Sequence, residues 1–341
     1  MLAKIKKVAQ VILGLAIGTL CFYLIIGYAG LGDIVAKFAR MSIGWITLFF
    51  FISLCIDLTL ALRWWVILKY HGHNVPYYYM LAYRMMGYAV SYITPSARIG
   101  GEAVRALMLK RHDISSADAF SSVLLDKALE LTAYIFFGAI GAVMVLLTFN
   151  VPSLTYVFML VAFILTVYLE YKLFAKLKSP DKLFLGIGKK WGLLKYKWGK
   201  KFFGNLDGVE ESMSTFLNYS MKGFSIAILM SGFLWILMFT EYWVIMQMLG
   251  HPTSLVHIFL IGVFLGISLM IPVPAALGVM EGGQGSLFKM LGKEASLGVA
   301  FSLMIRARDL VRLFAGFWLL THFGVSFLGR KKDDGKTRDK T

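Results

Sequence analysis

Residues 8–29, 43–62, 131–148, 154–169, 223–249 and 310–328 are apolar runs of about the length that crosses a lipid bilayer. In hydrocarbon no water pairs with backbone N–H and C=O groups, so such runs fold as helices that satisfy their own backbones. Composition agrees. With 58% hydrophobic and 16% charged residues, and a mean hydropathy of +0.71, a water-soluble globular chain is excluded. The first run follows Lys4, Lys6 and Lys7, as the core of a signal peptide would. Its apolar core is too long for that and no good small-x-small cleavage site follows, so a retained span is expected. Cys21 and Cys55 both fall inside runs, which excludes a cysteine-based metal cluster.

The polar residues inside this apolar sequence repeat. Pro95, Glu102, Lys127 and Glu130 are followed 179 positions later by Pro274, Glu281, Arg306 and Asp309, both sets reading P-x6-E-x24-(K/R)-x2-(E/D). Ionisable groups at membrane depth are expensive and usually line a pathway or binding site. A duplicated set, each copy with a proline interrupting an apolar run, is the pattern of an inverted-repeat transporter with broken helices.

The net charge of +16 orients the chain. Residues 170–222 hold eleven lysines against five acidic residues, and residues 330–341 hold six basic residues against three aspartates. The short links 150–153 and 250–254 carry no Lys or Arg. The positive-inside rule therefore puts both termini and the long linker in the cytoplasm of a multi-pass cell-membrane protein. Two broken hairpins are expected, at about residues 80–110 and 255–293. The first breaks at Thr94-Pro95 and resumes at Gly100-Gly101-Glu102; the second breaks at Ile271-Pro272-Val273-Pro274. The division is residues 1–149 as one membrane repeat, 150–328 as its inverted copy with the linker inside it, and 329–341 as a basic tail. Arms that cross fully keep the same parity.

Each polar residue has a structural reading beside the functional one. Glu102 opens a helix, where a carboxylate is favoured, and Arg105 lies one turn on as an ion-pair partner. Its repetition at Glu281, with Gln284 in place of the arginine, argues for a site. Lys127 with Glu130, and Arg306 with Asp309 and Arg312, are spaced to neutralise one another, as clamps or as substrate contacts. Asp57 and Glu241 stand alone in their spans, each available to meet one of these cations or carry a proton. Arg63, Trp64 and Trp65 close a span where an interfacial anchor is the ordinary reading, with Arg63 a secondary site candidate. Gly14-x3-Gly18 and Gly262-x3-Gly266 suit close helix packing. In the linker, lysines interleave with Leu173, Phe174, Leu177, Trp191, Trp198, Phe202 and Phe203, the pattern of amphipathic helices on an anionic inner leaflet. Nucleic acid is not expected, because the basic stretch is tethered between spans.

Enzyme signatures are missing: there is no phosphate loop, no H-E-x-x-H and no G-x-S-x-G. His71-x-His73 has no obvious third ligand, so no metal or cofactor is expected.

Leu62-Arg63-Trp64, then Thr94-Pro95 leading to Gly101-Glu102-x-x-Arg105, then Ile271-Pro272-Val273-Pro274 leading to Gly278-x-x-Glu281-Gly282, resemble the lysylphosphatidylglycerol synthase transmembrane-region family. This is the flippase-like membrane part of the multiple peptide resistance factor, and the likeness covers about residues 5–328. It implies a polytopic protein that moves a polar-headed lipid between leaflets, and it carries site roles onto Pro95, Gly101, Glu102, Arg105, Pro274, Gly278 and Glu281. The family is usually glycine-rich after each proline, whereas this chain has Ser96-Ala97-Arg98 and Ala275-Ala276. The family's soluble aminoacyl-transferase domain has no counterpart here, so lipid aminoacylation is not expected.

The expectation is an all-α membrane protein of two inverted repeats that translocates a phospholipid or lipid-linked substrate and is not an enzyme. Arg98 or Arg105 would hold a lipid phosphate; Glu102, Glu281, Glu130 and Asp309 would hold a cationic headgroup or a coupling proton. Replacing Glu102 or Glu281 by Gln should then stop transport and spare folding. The rivals are a membrane-embedded transferase acting on a lipid-linked sugar or phosphate, and an accessory subunit of a lipid-modifying enzyme. A homo-oligomer stays open.

Overall fold

The structure, a computed structural model, describes residues 31–39, 41–94, 100–148, 153–178, 197–271 and 273–338, with Tyr23, Gly27 and Gly186. Among the described residues the chain is helical and holds no strand. The helices are α1 (Leu31–Ala39), α2 (Ile43–Tyr70), α3 (Tyr77–Ile93), α4 (Glu102–Leu109), α5 (Ser116–Thr148), α6 (Ser153–Lys178), α7 (Lys197–Tyr219), α8 (Met221–Met248), α9 (Leu255–Met270), α10 (Val279–Met290) and α11 (Ala295–Arg338). Helix α2 follows an expected apolar run and α8 nearly coincides with another. At 28 residues each they reach about 42 Å, enough to cross a membrane by length and composition. The expected span at 8–29 lies almost wholly outside the described residues, as do Pro95, Arg98 and Pro272.

Contacts divide the chain into two compact units. One comprises Met1–Phe38, Leu81–Arg105 and Ser268–Thr341; the other comprises Ala39–Met80 and Ala106–Ile267.

In the larger unit α2 and α8 run antiparallel, since Trp45 meets Trp243, Arg63 meets Ser231 and the ring of Tyr70 covers Gly223. A core of Ile67, Leu125, Leu129, Leu177, Met213, Phe216 and Ala227 draws together α2, α5, α6, α7 and α8. Helix α7 is amphipathic as expected. Its apolar stripe of Val209, Met213, Phe216 and Leu217 is buried in this protein core rather than turned to lipid. Helix α6 instead leaves Leu154, Val157, Phe158, Leu160, Val161, Phe163, Ile164 and Leu165 exposed, an apolar face that suits acyl chains.

The linker end of this unit is tied by a polar clasp. Ser115 caps α5, its Oγ accepting from the Asp118 N–H at 3.0 Å and donating to the Asp118 carboxylate at 2.9 Å. Ser212 of α7 donates to the other Asp118 oxygen at 2.7 Å, and His73 Nε2 lies 3.1 Å from the carboxylate. His71 stacks on Phe216 and places Nε2 3.2 Å from Ser121 Oγ and 3.1 Å from Ser212 Oγ. Burial lowers the His71 pKa against the opposing pull of Asp118. Burial works to raise Asp118, but the Ser212, Ser115 and His73 hydrogen bonds together leave it lowered.

In the smaller unit α11 is the organising element. Cβ atoms added at Gly298 or Gly316 would collide with the backbone of Gln284 in α10 and of Met85 in α3, so α11 packs backbone-close on both. Helix α1 is held to it by Ile34 and Phe38 against Val299 and Leu303, and by a Lys37–Glu294 ion pair at 2.8 Å.

Candidate functional site

The second proline break is drawn in detail. Helix α9 ends at Met270, Val273 is extended, Pro274–Ala276 make one 3-10 turn, and α10 begins at Val279. Ala275 and Ala276 sit in the left-handed region, at φ 53° and 49°, and Gly278 follows at φ 76°. Left-handed backbone costs a non-glycine residue about 1–2 kcal/mol, so something must hold this turn.

Arg306 holds it. Its Nη1 and Nη2 donate to the carbonyls of Ala275 and Ala276 at 3.0 and 3.1 Å, and Nη1 also reaches the Tyr92 hydroxyl at 3.4 Å. Its Nε and Nη2 grip both oxygens of Glu281, the second at 2.8 Å. Glu281 is fully buried, and its Oε2 also accepts the Gly278 N–H at 3.0 Å, capping α10. Five guanidinium N–H groups thereby tie a helix break, a helix start and α11 into one node. An expected carboxylate and an expected cation thus meet across 25 positions, as partners of each other.

A second group lies further along α11. Arg308 Nε and Nη2 donate to Asp309 Oδ1 at 3.1 and 2.9 Å, and Arg312 Nη1 stands 3.5 Å from the same oxygen. The Arg312 guanidinium lies over the Tyr88 ring of α3, 5.8 Å from its centre. Arg308 and Tyr88 were missed by sequence reasoning. Helical i, i+3 spacing pairs Asp309 with Arg306 and Arg312, and gives no hint of its immediate neighbour.

The first break, at 95–99, lies outside the described residues, but its two arms are close. The Gly101 N–H donates to Ser91 Oγ at 2.7 Å, and a Cβ on Gly101 would collide with the Gly87 carbonyl. Arg105 is buried, with its side chain against Gly87, and Glu102 is half-buried at the start of α4. Glu102, Arg105, Glu281, Arg306, Asp309 and Arg312 therefore belong to one compact unit.

Lys127 and Glu130 belong to the other unit, where they pair on one face of α5 at 2.9 Å. Lys127 lines a cavity of about 430 Å³ with Leu131, Ile135, Leu169, Phe174 and Met213. Arg63 is not the expected interfacial anchor. It is buried, its Nε donating to Asp126 at 2.8 Å and Nη1 to Ser231 at 3.0 Å, with Trp64 fully buried beside it. The physical reason is Asp126, a carboxylate inside an apolar helix that draws the guanidinium inward. Glu241 accepts from Ser53 in a fully buried contact, and Asp57 is half-buried one turn further along α2. Gly262 lies against Phe239 and Tyr242, the close packing its spacing suggests. Among the described residues no group of three or more His, Cys, Asp or Glu side chains could hold a metal ion.

Helices with exposed apolar faces around buried ion pairs define a helical membrane protein. The family model described as "Lysylphosphatidylglycerol synthase TM region" matches residues 11–316, and the chain belongs to that family. A UPF0104 membrane protein of Pyrococcus horikoshii is 24% identical over 333 residues, covering 94% of this chain and 95% of its own. One of Methanothermobacter thermautotrophicus is 25% identical over 282 residues, covering 78% and 79%. One of Methanocaldococcus jannaschii is 33% identical over 135 residues, covering 39% of this chain and 40% of its own length.

Proposed function

We propose that this protein is an integral membrane lipid translocator, moving a polar-headed phospholipid or lipid-linked substrate between leaflets, and that it is not an enzyme. The observation that carries the reading is the Glu281–Arg306 node. A strained, non-helical turn held by a buried ion pair inside apolar helices is the kind of irregular backbone that lipid-facing segments do not tolerate, and that transporters keep beside a substrate path. Membership of a family described by a lipid synthase's membrane region supports the lipid class.

In this reading the two breaks are re-entrant hairpins of opposite orientation in a multi-pass cell-membrane protein with cytoplasmic termini. Glu102 meets a cationic headgroup or carries a coupling proton, and Glu281 with Arg306 keeps the second break in shape. The acyl tails stay in the bilayer, and the basic linker rests against anionic inner-leaflet lipid. The test is reconstitution of the full chain into vesicles carrying a headgroup-labelled phospholipid. The label in the inner leaflet should become accessible much faster than in protein-free vesicles, and equal rates would overturn the reading.

A further inference from the structure

The cavity of about 430 Å³ in the larger unit falls within the range of small-molecule sites, roughly 300–1,000 Å³. Helices α5 and α6 follow one another across the short link 149–152, and Leu177 joins Leu125 and Leu129 in the core, so the two run antiparallel along the cavity. The lining extends from Leu124 to Ile135 on α5 and from Leu177 back to Thr166 on α6, about 16 Å of each helix. One leaflet of a bilayer has a similar hydrocarbon depth, about 15 Å. The lining is almost wholly carbon. Thr132 and Thr166 turn their hydroxyls to the Ala128 and Ala162 carbonyls of their own helices, at 3.0 and 2.6 Å. Lys127 lines the cavity, and its ammonium stands 2.9 Å from Glu130, so its stem can serve as wall.

The surface around the cavity names its occupant. Leu131 and Leu169 of the lining are exposed, while Leu177 and Met213 are buried behind it. Val157, Val161, Leu165 and Leu169, at four-residue steps, make one exposed apolar stripe of α6 that ends at the cavity. At the other end of α6, which carries no Lys or Arg before Lys172, Lys172 and Lys176 are exposed at the level where lipid phosphates lie. A helix about 10 Å across and 16 Å long fills roughly 1,200 Å³, far more than the cavity holds, whereas a hydrocarbon chain is much narrower.

We infer that this cavity is a slot for one hydrocarbon tail of a phospholipid, entered from the bilayer between Leu131 and Leu169. The phosphate lies at the level of Lys172 and Lys176, and the chain end points towards Ile135 and Thr166. The chain passes from hydrocarbon to hydrocarbon, so the hydrophobic effect adds little. Dispersion holds it, because fixed walls keep contacts that fluid neighbouring tails do not. The inference requires only that the chain sits in a bilayer, and it stands apart from the translocator reading.

The test is photo-crosslinking of the full chain in palmitoyl-oleoyl phosphatidylcholine vesicles. The probes are phosphatidylcholines whose palmitoyl chain carries a diazirine at its last carbon or beside the ester, with labelled residues mapped by mass spectrometry. The chain-end probe should mark Ile135 and Thr166 at least about threefold more than Leu165, which is exposed at the same depth, the size a handful of added dispersion contacts gives. The ester-side probe should favour Phe174 over exposed Tyr171 by a similar factor. Ala128→Phe fills the slot and Leu169→Trp covers its mouth. Each should bring the slot yields down to those of Leu165 and Tyr171, whose own labelling stays unchanged and reports a folded, inserted protein. Wild-type slot yields no higher than those of the exposed pair overturn the inference, as they would if a second copy or another segment of this chain filled the slot. Yields unchanged in both variants, or the two probes marking the opposite ends, overturn it as well.

Discussion

Arg306 and Glu281 bind each other through two hydrogen bonds in the interior of the smaller unit, and the same guanidinium holds the Ala275 and Ala276 carbonyls of a left-handed turn. The pair therefore fixes the backbone as much as it offers charge. Glu281→Gln would leave Arg306 charged and poorly solvated, so loss of stability by about 3–5 kcal/mol is expected. This revises the expectation that Gln at this position spares folding. Glu281→Met combined with Arg306→Met should recover most of the loss, a coupling that thermal unfolding of the single and double variants measures. A double variant that loses the sum of the two single losses would mean that the two residues act separately.

The strained turn makes an opposite prediction. At φ 53° Ala275 pays for its Cβ, and glycine there pays nothing. Ala275→Gly should stabilise the protein by about 1 kcal/mol, read as a rise in midpoint temperature. Gly298→Ala, whose new methyl meets the Gln284 backbone, should destabilise it by about 1–3 kcal/mol. A stabilising Gly298→Ala would contradict the close packing of α10 on α11.

Helix limits were legible because the apolar runs end at polar or glycine-bearing links: α2 begins at Ile43 with its run, and α8 begins two residues before its run. Partnerships were legible only where helical spacing supplies them, as for Lys127 with Glu130. Arg63 was misread because an arginine and two tryptophans closing an apolar run look the same at an interface and in a core. Asp126, a carboxylate in α5 facing the end of α2, was the available signal, overshadowed by its neighbour Lys127. The Arg306–Glu281 match needed the fold, since 25 positions and a helix break separate them.

Topology gives a further prediction. On a background lacking Cys21 and Cys55, a cysteine at Arg111 should label from the cytoplasmic side and one at Lys293 from outside, as inverted halves require. Labelling of both from one side would contradict the inverted repeat.

The clasp at the linker is expected to weaken in acid. His71 and Asp118 both have lowered pKa values, so in each case the unfolded state binds the proton more readily. The stability they contribute is present above their ordinary values, 6.5 for His71 and 3.8 for Asp118, and is lost as pH falls below them. Amide exchange in α7 should accelerate as pH falls below about 6.5, after correction for intrinsic rates. His71→Phe keeps the ring on Phe216 and should flatten that first step; an unchanged profile would place the sensitivity elsewhere.

The most direct measurement is the transbilayer rate of a headgroup-labelled phospholipid in vesicles holding the wild type or Glu102→Gln. Glu102 is half-buried and opens α4, so Gln there keeps the side-chain shape and removes the charge. The account predicts that the variant is incorporated and folded like the wild type and moves lipid no faster than protein-free vesicles. A Glu102→Gln protein as active as the wild type would contradict it.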